Sequence, residues 1–127
     1  MFRVNDDLSI DITRGDVGVI EVSANKNEQE LYMFQPGDIV RFRVYPKKQH
    51  ENVVLLKDVE VETETEKVSI NLVRNDTKIG GIINKPTIYW YEVELNPDTI
   101  PQTIIGYDVD GPKLLTLYPE GGDLVYE

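Results

Sequence analysis

The sequence predicts an all-β fold, an antiparallel sandwich of about seven to nine strands. Apolar residues recur with a period of two along most of the chain, as a sheet with one buried face requires. Valine, isoleucine, tyrosine and phenylalanine fill those runs, the residues that suit a pleated surface. Glycine, proline, asparagine and aspartate punctuate the gaps at short intervals.

Taken in order, LSIDI places Leu8, Ile10 and Ile12 on one face. VGVIEVSA does the same with Ile20, Val22 and Ala24. EQELYMF shows neither period clearly and is left open. DIVRFRVY turns Val40, Phe42 and Val44 inward, and Ile39, Arg41, Arg43 and Tyr45 outward. VVLLKDVEV is less regular, because Lys57 falls on its apolar face; a bulge or the end of pairing there is expected. ETETE would repel itself if extended, so a hairpin turn near Thr63 to Thr65 is expected to join its neighbours. KVSINL supplies Val68, Ile70 and Leu72. YWYEVEL turns Tyr89, Tyr91, Val93 and Leu95 inward, and Trp90, Glu92 and Glu94 outward. Two shorter strands follow, Gln102 to Tyr107 and Lys113 to Tyr118. No run has the length and period of a three-turn helix.

The 127 residues suit one domain, with core strands over about 8–118 and a C-terminal tail at 119–127. No apolar run reaches the roughly 18 residues that span a bilayer. MFRVNDDLSI has no apolar segment behind a basic start, so no signal peptide is visible. Cysteine is absent, which removes disulfides, thiolate metal sites and cysteine nucleophiles together. A net charge of −10 repels polyanions, so neither nucleic acid nor an anionic membrane is an expected partner. Synthesis in the bacterial cytoplasm fits these features.

Few motifs carry chemistry. Arg14-Gly15-Asp16 is the tripeptide of many adhesion ligands, but here it separates two predicted strands and reads as a turn. Asp108-Val109-Asp110-Gly111 looks like the start of a calcium loop, yet the twelfth position holds Pro119, and Asp110-Gly111 reads as a hairpin turn. The single histidine, His50, sits in the polar stretch KKQHEN. No nucleophile elbow, zinc helix or phosphate loop is present, so neither an enzyme nor a cofactor is expected. Twenty-three acidic residues will form close pairs by chance, so carboxylate proximity alone does not argue for a hydrolase. Trp90 is the most informative side chain. On an outward face it can stack on a sugar ring or anchor a protein partner; the plainer reading is that it packs under a loop. Tyr45, Arg41 and Arg43 share the outward side of another strand. If the two strands adjoin, the arginines face Glu92 and Glu94.

The order of segments resembles the immunoglobulin-like domain that opens phage upper baseplate proteins of Gram-positive hosts. The resemblance rests on LSIDITRGDVGVIEV, on Val40-Arg41-Phe42-Arg43-Val44, and on Asp76-Thr77 followed by Tyr89-Trp90-Tyr91-Glu92-Val93-Glu94. It spans roughly residues 8–118. It implies an immunoglobulin-like β-sandwich serving as a virion structural protein, docked on other virion subunits and on copies of itself in a tail, baseplate or neck. Two features depart from the family. Its domain opens a longer chain, whereas this sequence ends at Glu127, and NPDTIPQTIIGYDVDGPKLLTLYPEGGD is more elaborate than the family's last hairpin. Head-decoration and fibre-attachment roles therefore stand beside the baseplate one. The alternative expectation is a carbohydrate-binding module for a cell-surface glycan, with Trp90 and Tyr45 as contacts.

Overall fold

Among the described residues the period-two runs settle into nine strands and one helical turn. The computed structural model describes residues 1–27, 29–47, 49 and 51–120. The strands are β1 (Phe2–Val4), β2 (Ile10–Thr13), β3 (Gly18–Val22), β4 (Ile39–Pro46), β5 (Leu55–Glu60), β6 (Val68–Leu72), β7 (Thr87–Leu95), β8 (Gln102–Ile105) and β9 (Lys113–Tyr118). Helix α1 (Arg74–Thr77) follows β6.

Seven strands form one sheet in the order β1-β2-β9-β7-β4-β5, with β8 also on β7; β3 and β6 form the second. The order β9-β7-β4-β5 over a β3–β6 pair is that of strands G-F-C-C′ over B-E in an immunoglobulin-like sandwich. One pair departs from the antiparallel expectation. β2 runs parallel to β9, with Ile10 beside Leu115 and Thr13 beside Tyr118. A parallel pair needs a long crossover, and here everything between the two strands supplies it.

Both sheets aim their apolar positions inward. Ile20, Ile70, Phe42, Val93 and Leu117 belong to one buried cluster. Alternation in β6 is strict, buried at Val68, Ile70 and Leu72 and exposed at Ser69 and Asn71. β3 and β4 alternate in the same sense, except that outward Tyr45 is buried as well as Val44, so period two was a sound guide to which face meets the core.

β7 is the organising strand. Along one edge it pairs with β4 from Val40–Leu95 to Pro46–Tyr89. Its other edge is shared: Thr87–Tyr91 pair with β9 and Val93–Leu95 pair with β8. β8 and β9 thus lie end to end along β7, both antiparallel to it. Residues 106–112 leave the sheet between them and return through a two-residue turn. Asp108 and Gly111 close that turn with N–H···O bonds of 3.1 and 2.9 Å, and Gly111 takes φ +96°, where a side chain would be strained.

Several expectations change. β1 is an additional strand. Leu8 is not part of β2; it is exposed with φ +70°, where the chain bends before the strand begins. ETETE is not a hairpin turn, because β5 and β6 belong to different sheets. It crosses between them, pinned where Thr65 and Phe34 exchange backbone hydrogen bonds of 2.8 and 3.1 Å, and its three glutamates stay exposed. β5 has no bulge at Lys57. Its register with β4 is unbroken, and the ammonium of Lys57 reaches Asp76 Oδ2 at 2.8 Å. The register shift of the large sheet falls instead between Val93 and Glu94, opposite β8. EQELYMF is not helical where described: Leu31 bridges Asn25, and Phe34 bridges Thr65. The last strand before the turn stops at Ile105, short of the expected Tyr107.

Candidate functional site

Two regions could meet a ligand or partner: the outer face of the large sheet, and a cleft beside β8. The outer face is built by register. Tyr45 lies beside Trp90, Arg43 beside Glu92, and Arg41 beside both Glu94 and Asp58. All four residues singled out from the sequence, Trp90, Tyr45, Arg41 and Arg43, therefore share one face.

Their partners differ from the simple pairing. Arg43 does meet both glutamates, with Nη1 3.4 Å from Glu92 Oε1 and Nη2 2.7 Å from Glu94 Oε1. Arg41 turns away from Glu94. It holds Asp58 through two parallel bonds, Nε to Oδ1 at 2.7 Å and Nη2 to Oδ2 at 3.0 Å, and reaches Asp98 at 3.1 Å. The fork of a guanidinium matches a carboxylate in this way. The bonds to Asp58 and then to Asp98 raise the pKa of Arg41 above its usual value. Such partly exposed pairs contribute up to about 1 kcal/mol each; their main effect is to fix both arginines in place.

The aromatic half of the face is more sheltered than period two alone suggests. Tyr45 points outward but is only 6% exposed. Trp90 is half-buried. Its ring centroid lies 6.5 Å from that of Tyr45 and 6.0 Å from that of Tyr107, which the 106–112 excursion lays over the sheet. Burial, and next the charge of Glu92, push the Tyr45 phenol above its ordinary pKa. A groove of about 320 Å³ opens here, lined by Tyr45, Trp90, Glu92, Tyr107, Pro112 and Lys113 among others. Lys113 is 7% exposed and its Nζ bonds Asp108 Oδ2 at 2.8 Å. That bond, then the Asp110 N–H, holds the Asp108 carboxyl below the usual range.

The second region is a cleft of about 830 Å³. Leu95, Gln102, Thr103 and Ile104 form one wall; Ala24, Leu31 and Tyr32 stand among the residues of the other. β8 pairs with β7 alone. Next in line, β9 has β2 as its outer neighbour, but β2 begins at Ile10, level with Leu115, and does not extend along β8. The place a strand would occupy beside β8 thus has no strand among the described residues.

The Arg-Gly-Asp turn has a structural job. Arg14 is 8% exposed, and its Nη2 donates to the Gly80 carbonyl at 3.3 Å. Gly15 N–H donates to Thr77 Oγ1 at 3.0 Å, and the Thr77 hydroxyl donates to the Asp16 carbonyl at 2.7 Å. The Asp16 carboxylate pairs with the N-terminal ammonium. An adhesion ligand needs both side chains presented, and this turn buries one and engages the other. Among the described residues no group of three or more His, Asp or Glu could hold a metal, and no helix is long and apolar enough to cross a membrane. His50 and the C-terminal tail from residue 121 lie outside the described residues.

Sequence reasoning missed Tyr107, Lys113 and the β8 cleft. Tyr107 and Lys113 flank the Asp110-Gly111 turn, but nothing in their spacing says that the strands on either side of it share one partner. No protein-family model and no curated protein matches the chain.

Proposed function

We propose that this protein is a docking module: an immunoglobulin-like sandwich that assembles with other subunits of a phage or prophage particle, and with copies of itself, through an added β-strand. The edge of β8, beside which no strand lies among the described residues, carries the reading. An edge strand offers a row of N–H and C=O groups to an incoming segment. At β8 those groups border a cleft large enough to receive side chains as well. Backbone bonds would then supply affinity, and pockets for alternate side chains would supply specificity. The resemblance to phage baseplate domains gives the kind of assembly, and repetition in a symmetric particle would multiply a modest contact.

Ile104→Lys tests it. Ile104 lines the cleft and packs only at the margin of the core, so the variant should fold. The wild-type protein is expected to co-sediment with particles encoded beside its gene, and Ile104→Lys to lose that binding at least about tenfold, or about 1.4 kcal/mol. A wild-type chain that remains a monomer and never sediments with particles contradicts the reading.

A further inference from the structure

The geometry points to a second binding site, separate from the β8 cleft: the Tyr45–Trp90–Tyr107 groove takes the pyranose ring of a neutral sugar. Its volume of about 320 Å³ falls at the small end of ligand sites, which run from roughly 300 to 1,000 Å³. Tyr45, Trp90, Tyr91 and Tyr107 line it, and neither Tyr45 nor Tyr107 is stacked flat on Trp90. Tyr45 meets the indole at 68° and Tyr107 meets it at 56°. The indole thus stands at the groove without a parallel ring against it, and the C–H face of a pyranose is an apolar plate of suitable shape.

Charge selects among the ligands that aromatic rings attract. Aromatic rings beside a carboxylate suggest a cage for a quaternary ammonium ion. Here, however, the Lys113 ammonium stands in the wall and would repel one. An anion would meet Glu92, with Asp108 close by. Both signs sit at the groove, each with a counter-charge: Lys113 meets Asp108, and Glu92 shares the Arg43 guanidinium with the closer Glu94. A polyol suits such a rim, because each hydroxyl both donates and accepts. Glu92 is an acceptor and Lys113 a donor among the lining residues.

Trp90 is the only tryptophan, so its emission reports on this site alone. The probes are glucose, galactose, N-acetylglucosamine and rhamnose, with tetramethylammonium and hexaproline as competing classes. At least one sugar is expected to give a saturable change with a Kd of about 1–10 mM. Tyr107→Ala is expected to weaken it at least about tenfold; Tyr107 is 73% exposed, so its removal should leave the fold intact. The proposal is overturned if no sugar saturates below about 100 mM, if Tyr107→Ala binds as well as wild type, or if only tetramethylammonium or hexaproline responds. None of these outcomes depends on docking at β8, because Ile104 does not line this groove.

Discussion

At the scale of residues, two buried-edge carboxylates tie loops to strands. Asp76 Oδ2 accepts from Lys57 Nζ at 2.8 Å and from the Val73 N–H at 2.9 Å. Burial works against its charge, but these bonds prevail and hold its pKa below the usual range. Asp38 behaves alike. Burial opposes ionisation, while the Gln35 N–H, the Tyr32 hydroxyl and the Asn96 amide outweigh it. Both pKa values are lower folded than unfolded, where aspartate titrates near about 3.9. Their contribution is thus complete above that value and is lost as the pH falls through the folded pKa values. Urea midpoints should stay level from about pH 7 to 5 and drop below about pH 4. The double variant Asp38→Asn with Asp76→Asn should start lower at pH 7 and lose less on acidification. An unchanged acid slope would place the titration elsewhere. Lys57 also shows what a residue pattern conceals. Its position on an apolar face was legible, but its partner on α1 was not, because that contact crosses from one sheet's edge to the far end of another strand.

At the scale of elements, β1 shows why a short strand escapes notice. Phe-Arg-Val has no second period to confirm it, and its one inward side chain is used in an unusual way. The Phe2 ring lies on Gly18 at the start of β3, so close that a Cβ there would sit 2.2 Å from Cδ2. Glycine is required at that point by contact, not by backbone conformation. Gly18→Ala should cost about 1–3 kcal/mol in chemical denaturation. In a Phe2→Ala background the same change should cost less than about 0.5 kcal/mol, since the two effects share one contact. Equal costs in both backgrounds would show that the ring simply moves aside. The longer strands were readable because their alternation extends over five or more residues, as in β4 and β7. Period two also placed Trp90 on the outer face. It could not say that Tyr45 would be buried, since its contact with Trp90 is made across two strands. Nor could it separate a hairpin from a crossing at ETETE, where local repulsion argues equally for any solvated path.

At the scale of the molecule, the sandwich is asymmetric: a seven-stranded sheet faces a pair of strands, and one long edge of β7 is shared by β8 and β9. That division creates both candidate sites. The excursion between the two strands brings Tyr107 to Trp90, and the strand before it keeps an edge unpaired among the described residues. The sequence named Trp90 and Tyr45 for the first site but not Tyr107 or Lys113, and gave no sign of the second, because both depend on β8 and β9 being collinear, a relation between segments and not a property of either. The docking account makes one direct claim, that a partner's strand pairs with β8. Amide hydrogen exchange of the protein, alone and bound to particles, tests it. The account predicts that some amides of Gln102–Ile105 exchange readily in the free protein and become at least about tenfold slower in the bound one, while β6 changes little. Equal exchange at β8 in both states, with protection arising on the outer face around Arg41 and Arg43 instead, would contradict it.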